Sequence, residues 1–158
     1  MLAWNKFAIG MVCFLAAFSL LTTSAGAQQQ VTVTLQAYEV ARDDAAALLI
    51  AQPEKLDPAT MVQTLSAMSA KQASKILKLG SVSGPSGGRS KGSGPDGSFE
   101  ASATLSADGQ ILELIVSATA VDLKLAAALM MPGKGFAFMG ALDQGDSGKV
   151  VMFFVRSS

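Results

Sequence analysis

Short apolar segments separated by Gly- and Asp-containing turns fill the chain after Ser98, and they restrict it to folds built on antiparallel sheet. Ser98 to Ser106 leads into Ala107-Asp108-Gly109-Gln110, where Asp-Gly is a strong hairpin signal. Ile111 to Ala118 is rich in Ile, Leu and Val and reads as the central strand. Val121 to Met130 reads as strand or helix, because Ala126-Ala127-Ala128 weakens the strand case. Pro132-Gly133-Lys134-Gly135 turns the chain. Phe136 to Leu142 and Lys149 to Arg156 then form two more strands around Asp143-Gln144-Gly145-Asp146-Ser147-Gly148. Leu112, Leu114, Val116, Val151 and Phe153 are the expected packed face.

The first half mixes the two periodicities. Val31, Val33, Leu35 and Ala37 alternate with Thr32, Thr34, Gln36 and Tyr38, which predicts a half-buried strand. Asp43 and Asp44 open an alanine-rich run through Ala51 and predict a short helix. Gln52 to Leu56 is a connection. Asp57 is a good N-cap and Pro58 a first-turn proline, so a second helix starts there and carries Met61, Val62, Leu65 and Met68 on one stripe. It ends either near Lys71, with a strand from Ala73 to Ser83, or at Gly80 as a C-cap. The fold class is therefore α+β: an N-terminal strand, two helices, then a mainly antiparallel meander. Gly84 to Gly97 reads GPSGGRSKGSGPDG, too polar to pack and rich in glycine, and predicts a flexible surface loop at 84–97 inside one domain.

The amino terminus has the order of an export signal. Lys6 precedes an apolar run from Phe7 to Leu21, followed by Ala25-Gly26-Ala27 and polar Gln28-Gln29-Gln30. The run is short of the roughly 20 residues of a spanning helix. Residues 1–27 are thus expected to be a signal peptide cleaved after Ala27, leaving 28–158 as a single domain with no membrane span. The product would be exported, to the periplasm or in association with the outer membrane.

Cleavage removes the only cysteine, Cys13, and the only tryptophan, Trp4; the chain has no histidine. Disulfides cannot hold such a domain, so stability rests on apolar burial and sheet hydrogen bonds. The hydrophobic fraction, rich in Ala, Val, Leu and Met, is adequate for that. Without Lys6 the product has one more acid than base, and no global field points to nucleic acid or a membrane surface.

Chemistry-bearing motifs are sparse. Gly145-Asp146-Ser147-Gly148 resembles the nucleophile loop of trypsin-like serine proteases, and Gly84-Pro85-Ser86-Gly87-Gly88 echoes it. A triad needs a base for the serine proton; histidine is missing, and so is a Ser-x-x-Lys spacing. Adjacent Asp43 and Asp44 do not converge on a helix. Asp143 and Asp146 lack the alternating oxygen ligands of a calcium loop. The glycines lack the Gly-Lys-Ser/Thr ending of a phosphate loop. The expectation is no enzyme, no metal and no cofactor.

Charge is segregated along the chain. Lys71, Lys75, Lys78, Arg89 and Lys91 occur between Pro58 and Pro95 with no acid among them. Asp96, Glu100, Asp108, Glu113 and Asp122 follow with no base. Paired strands whose charges meet across a sheet explain both halves. The competing reading makes the five basic residues a contact for an anionic partner. No aromatics interleave them, which disfavours nucleic acid.

Leu65 to Leu77, LSAMSAKQASKIL, resembles the helix-then-strand segment of the secretin domain, the C-terminal module of outer-membrane channels of type II and III secretion and type IV pili. Ser86 to Lys91 is similar to that family's Ser/Asn-Gly-x-x-Ala turn, Phe99 to Val116 to its next strand pair, and Pro132 to Leu142 with Val150 to Arg156 to its closing hairpin. The resemblance favours ending the second helix near Lys71. The family's ring-building domains and its two long pore-lining hairpins have no counterpart, and the Gly84 to Gly97 tract stands partly in their place. The resemblance implies a short, soluble relative that works by protein-protein contact in the cell envelope, in a secretion or pilus-like assembly. Its partner would be another protein or a second copy, bound through a strand edge. The alternative is a small ligand- or polyanion-binding envelope protein using segment 71–91.

Overall fold

The computed structural model describes residues 28–50 and 57–158. The export-signal reading, with Cys13 and Trp4, lies outside these residues, as does the Gln52 to Leu56 connection. Chain order runs β1 (Gln30–Ala41), α1 (Arg42–Ile50), α2 (Pro58–Ala70), β2 (Ser74–Pro85), β3 (Arg89–Gly94), β4 (Gly97–Leu105), β5 (Ile111–Ala120), β6 (Leu123–Pro132), β7 (Gly135–Asp143), a 3-10 turn (Gly145–Ser147) and β8 (Lys149–Ser157). The fold is α+β, with two helices between the first strand and an antiparallel meander.

The strands form two four-stranded antiparallel sheets, ordered β2-β1-β8-β7 and β3-β4-β5-β6. Each strand lies beside its neighbours in sequence, and β1 pairs with β8. The meander is thus a ring flattened into a sandwich, interrupted by two seams where the sheets abut: β2 beside β3, and β6 beside β7.

Period-two patterning builds the interior. Val31, Val33, Leu35 and Ala37 of β1 and Val151, Phe153 and Val155 of β8 face Phe99, Ala101 and Ala103 of β4 and Leu112, Leu114 and Val116 of β5 across one core. The five residues expected on the packed face are all buried there. Strand β8 departs from alternation because both of its faces are covered. Met152 and Phe154 point away from the sandwich and pack with Tyr38, Val40, Met61 and Leu65 under the helices. The Val150–Val155 run is continuous for that reason. The result is three layers: sheet, sheet, helix pair.

Helix α2 begins as expected, with the Asp57 side chain accepting from the Thr60 N–H and Pro58 in the first turn. It ends at Ala70, which resolves the open alternative. Gln72 adopts a left-handed φ of 59°, the Ala73 N–H bonds to the Met68 carbonyl and the Gln72 N–H to the Ser69 carbonyl. This is a Schellman closure built without glycine. Val121 to Met130 is also resolved, as strand: Val121 and Asp122 take positive φ (49° and 64°) in a two-residue turn, and β6 starts at Leu123.

The flexible-loop reading of 84–97 is corrected. The tract holds the end of β2, a turn at 86–88, all of β3 and the start of β4. Glycine serves close approach here. A Cβ on Gly94 would overlap the Lys78 carbonyl oxygen, and one on Gly92 would enter the Phe99 ring.

Candidate functional site

The five basic residues come from three places in the fold, the end of α2, β2 and β3. Arg89 and Lys91 lie on β3 and both reach Glu100 on the neighbouring β4, at 2.9 and 3.5 Å. Lys91 and Glu100 are direct cross-strand partners, so the segregated charges do meet across a sheet at this point. Lys71 follows α2, while Lys75 and Lys78 are exposed on β2 in the other sheet. Lys75 stands opposite Glu39, which also receives Lys149 at 2.6 Å and Gln144 at 3.1 Å. The Lys149 ammonium holds the Glu39 carboxyl below its ordinary range, against a smaller opposing effect of burial.

The serines of the protease-like strings make hydrogen bonds within the fold. The Ser147 hydroxyl donates to Gln144 Oε1 and accepts from the Lys149 N–H. Ser86 Oγ accepts from the Leu105 N–H and ties the β2–β3 turn to β4. Asp143 is bound by Arg42 at 2.7 Å and accepts from the Gly145 N–H, and the guanidinium holds its carboxyl below the usual value. Among the described residues no cluster of three or more His, Cys, Asp or Glu is placed to hold a metal ion.

The two seams differ in a way the sequence does not display. At the β2/β3 seam, Asp96 accepts from the Lys78 N–H through its side chain (2.9 Å) and donates its own N–H to the Lys78 carbonyl (3.2 Å). Gly80 and Gly94 let the two backbones touch. Leu77 and Leu79 of β2 are fully buried behind this closure.

At the β6/β7 seam, no backbone hydrogen bond joins the two strands among the described residues. The inward side chains Leu123, Leu125, Ala127 and Leu129 of β6 are only half-buried, as is every residue of β7 from Gly135 to Leu142. Their neighbours Leu112, Leu114 and Val116 on β5 and Val151, Phe153 and Val155 on β8 are at most 1% exposed. Leu77 and Leu79 are thus sealed behind the Lys78 end of the first seam, whose far half, at Val82 and Gly84 of β2 and Ser90 of β3, is half-buried like the inner face of β6.

Backbone geometry sharpens this. Ala120 and Leu123 flank the two-residue turn as facing partners, the position at which a tight hairpin exchanges both backbone bonds. Alternation then directs the N–H and C=O groups of Leu123, Leu125, Ala127 and Leu129 to β5. The Gly133 N–H bonding the Gln110 carbonyl at 2.8 Å keeps the same parity. The backbone groups of Lys124, Ala126, Ala128 and Met130 point away from β5, toward the open seam. No proline or bulge blunts β6 between Leu123 and Met131.

The outward face beside this edge is apolar for a sheet surface. Ile115 is 66% and Met130 68% exposed; Ala128 lies opposite Ile115 and next to Met130 on the outward face, with Ala126 beyond it. A shallow open groove of about 530 Å³ runs from Arg89 and Glu100 across Ser102 and Ser117 to Ile115 and Ala126. Residue pattern alone hid the site, because the β6 alanines weaken the strand reading and neither seam can be located before the ring is known. No helix among the described residues is long and apolar enough to cross a membrane. No protein-family model, curated protein or solved structure matches the chain.

Proposed function

We propose that this is an exported, non-enzymatic cell-envelope protein that works by protein-protein contact through the open β6/β7 seam. The observation that carries the reading is the β6 edge, unpaired among the described residues, with apolar side chains half-exposed on its inner face and Ile115 and Met130 exposed beside its outer one. An edge of this length without a bulge or interior proline is a template for another strand. A place in a secretion or pilus-like assembly rests on the secretin-like order of α2, β2 and the following hairpins, and export rests on the residue 1–27 pattern. The polyanion reading is less favoured because Glu100 pairs with both Arg89 and Lys91. The absence of catalysis is supported by the structural bonds of Ser147 and Ser86.

Capture from envelope extract is the test. Ala128→Pro removes a backbone N–H that does not serve β5, so the domain keeps its sheet while the edge is interrupted. The tagged wild-type protein should retain protein, a second copy of itself included, that the Ala128→Pro variant loses. Equal retention by both would reject the seam. Retention that disappears on replacing Lys71, Lys75 and Lys78 by Gln would favour the polyanion reading.

A further inference from the structure

We infer that the occupant of the open edge is a second copy of this chain, paired β6 to β6 in antiparallel fashion about a two-fold axis at Ala127. The inference rests on the contact reading above and adds the partner, the register and the charge pairs.

The sequence of β6 is close to self-complementary. About Ala127, Ala126 opposes the partner's Ala128, Leu125 opposes the partner's Leu129, and Leu123 opposes the partner's Met131. Parity is preserved, so the inward set of one copy continues the inward set of the other, and the half-buried leucines of both flanks meet in one extended core. The outward-directed backbone groups of Ala126 and Ala128 are those that must bond across the axis, and these are the ones left unpaired by β5. Ala127 then faces its own copy as a non-hydrogen-bonded pair.

Charge favours the same register. Lys124 and Glu113 are both exposed, and neither forms an ion pair among the described residues. In the pairing about Ala127, Lys124 opposes the partner's Met130, and Met130 stands beside Glu113 within each sheet. Each Lys124 therefore shares a row with the partner's Glu113, two strand spacings or roughly 9–10 Å away, within reach of an extended lysine lying over the methionine. The symmetry makes two such pairs. On the outer face Ile115, Ala128 and Met130 of each copy join into one apolar belt.

The test combines register-specific cross-linking with sedimentation of the protein as isolated from its host. In a Cys13→Ser background, Ala127→Cys should cross-link to itself, because a non-hydrogen-bonded pair sets Cα atoms about 4.5 Å apart, inside the disulfide range. Ala126→Cys mixed with Ala128→Cys should cross-link more than either alone. Wild-type protein should sediment as a concentration-dependent dimer. Lys124→Glu should weaken it roughly tenfold, and adding Glu113→Lys should restore it, as two exposed charge pairs change sign and are then exchanged. The charge swap keeps the test decisive if Ala128→Pro fails to fold. A monomer at all concentrations without cross-links, or a dimer indifferent to both Lys124→Glu and Ala128→Pro, overturns the inference. A monomer that still captures another protein in a seam-dependent way overturns the second copy alone and leaves the contact reading standing. A monomer that captures nothing overturns both.

Discussion

The β2/β3 and β6/β7 seams solve the same geometric problem in opposite ways. Both join the edges of two sheets that a meander must cross between. The first is drawn from the most polar and glycine-rich part of the chain, and it is closed at its Lys78 end: glycines admit backbone contact, Asp96 binds Lys78 through side chain and main chain, and Leu77 and Leu79 are sealed behind it. The second is drawn from the apolar β6 and β7, and it is open, with half-buried leucines and outward backbone groups unpaired among the described residues. Hydrophobicity does not by itself close an edge. Leucine and methionine fill the space that two backbones would need in order to meet, whereas glycine leaves it free. The apolar seam is thus the one left to recruit an outside strand.

The same truncation on each side should break the symmetry of the comparison most. Leu79→Ala removes a fully buried side chain beside the closed seam and should cost about 2–5 kcal/mol. Leu129→Ala, half-buried beside the open seam, should cost about 1–2 kcal/mol in the monomer, since much of its area already meets water. Urea denaturation at low protein concentration separates the two; equal losses would mean that the flanks are equally sealed. Next in size, Gly94→Ala should cost about 1–3 kcal/mol, because its Cβ must displace the Lys78 carbonyl rather than a flexible side chain. A neutral Gly94→Ala would show that the backbones do not touch.

How far these features were legible follows from what each element asks of its residues. Alternation in β1 and β5 and the Asp57-Pro58 cap could be read directly, because binary pattern and capping chemistry act locally. Strand β3 could not. Arg-Ser-Lys-Gly-Ser-Gly carries no apolar residue, and it is a strand because β4 pairs with it and Gly92 makes room for the Phe99 ring. The end of α2 was ambiguous because Gln72 occupies a left-handed position where glycine would have announced the stop. For the site, the basic residues were visible, but the meeting of charges across a sheet, found at Arg89 and Lys91 with Glu100, was only one of two readings. A strand edge was expected, but which one stays open was invisible, since the seam exists only once β6 and β7 are neighbours.

Acid should act on the junction where β1 meets β8 and closes the ring. Glu39 on β1 is paired with Lys149 on β8, and that partner lowers its folded pKa below the ordinary 4.5. The stability this pair contributes is present above 4.5 and is lost as pH falls through the lower folded value. Glu39→Gln should flatten the acid limb of the stability curve in that window while leaving the curve above it parallel to wild type. An unchanged acid limb would remove Glu39 from the account. The smallest expected effect belongs to the turn that sets the parity of β6. Val121 is β-branched at a φ of 49°, so Val121→Asn should stabilise by about 1 kcal/mol, read as a raised thermal midpoint. Destabilisation would mean that the turn, and the backbone parity derived from it, is different.

Residue-resolved amide hydrogen exchange along β6, followed from dilute to concentrated protein, tests the open seam most directly. In the monomer, the amides of Lys124, Ala126, Ala128 and Met130 should exchange fast, while Leu125, Ala127 and Leu129, bonded to β5, exchange slowly. Raising the concentration should slow the first set toward the second, and the amides of Lys78 and Asp96 at the closed seam should be slow throughout. Uniform protection along β6 at the lowest concentration would contradict the account, because it would mean that the chain already closes this edge on itself.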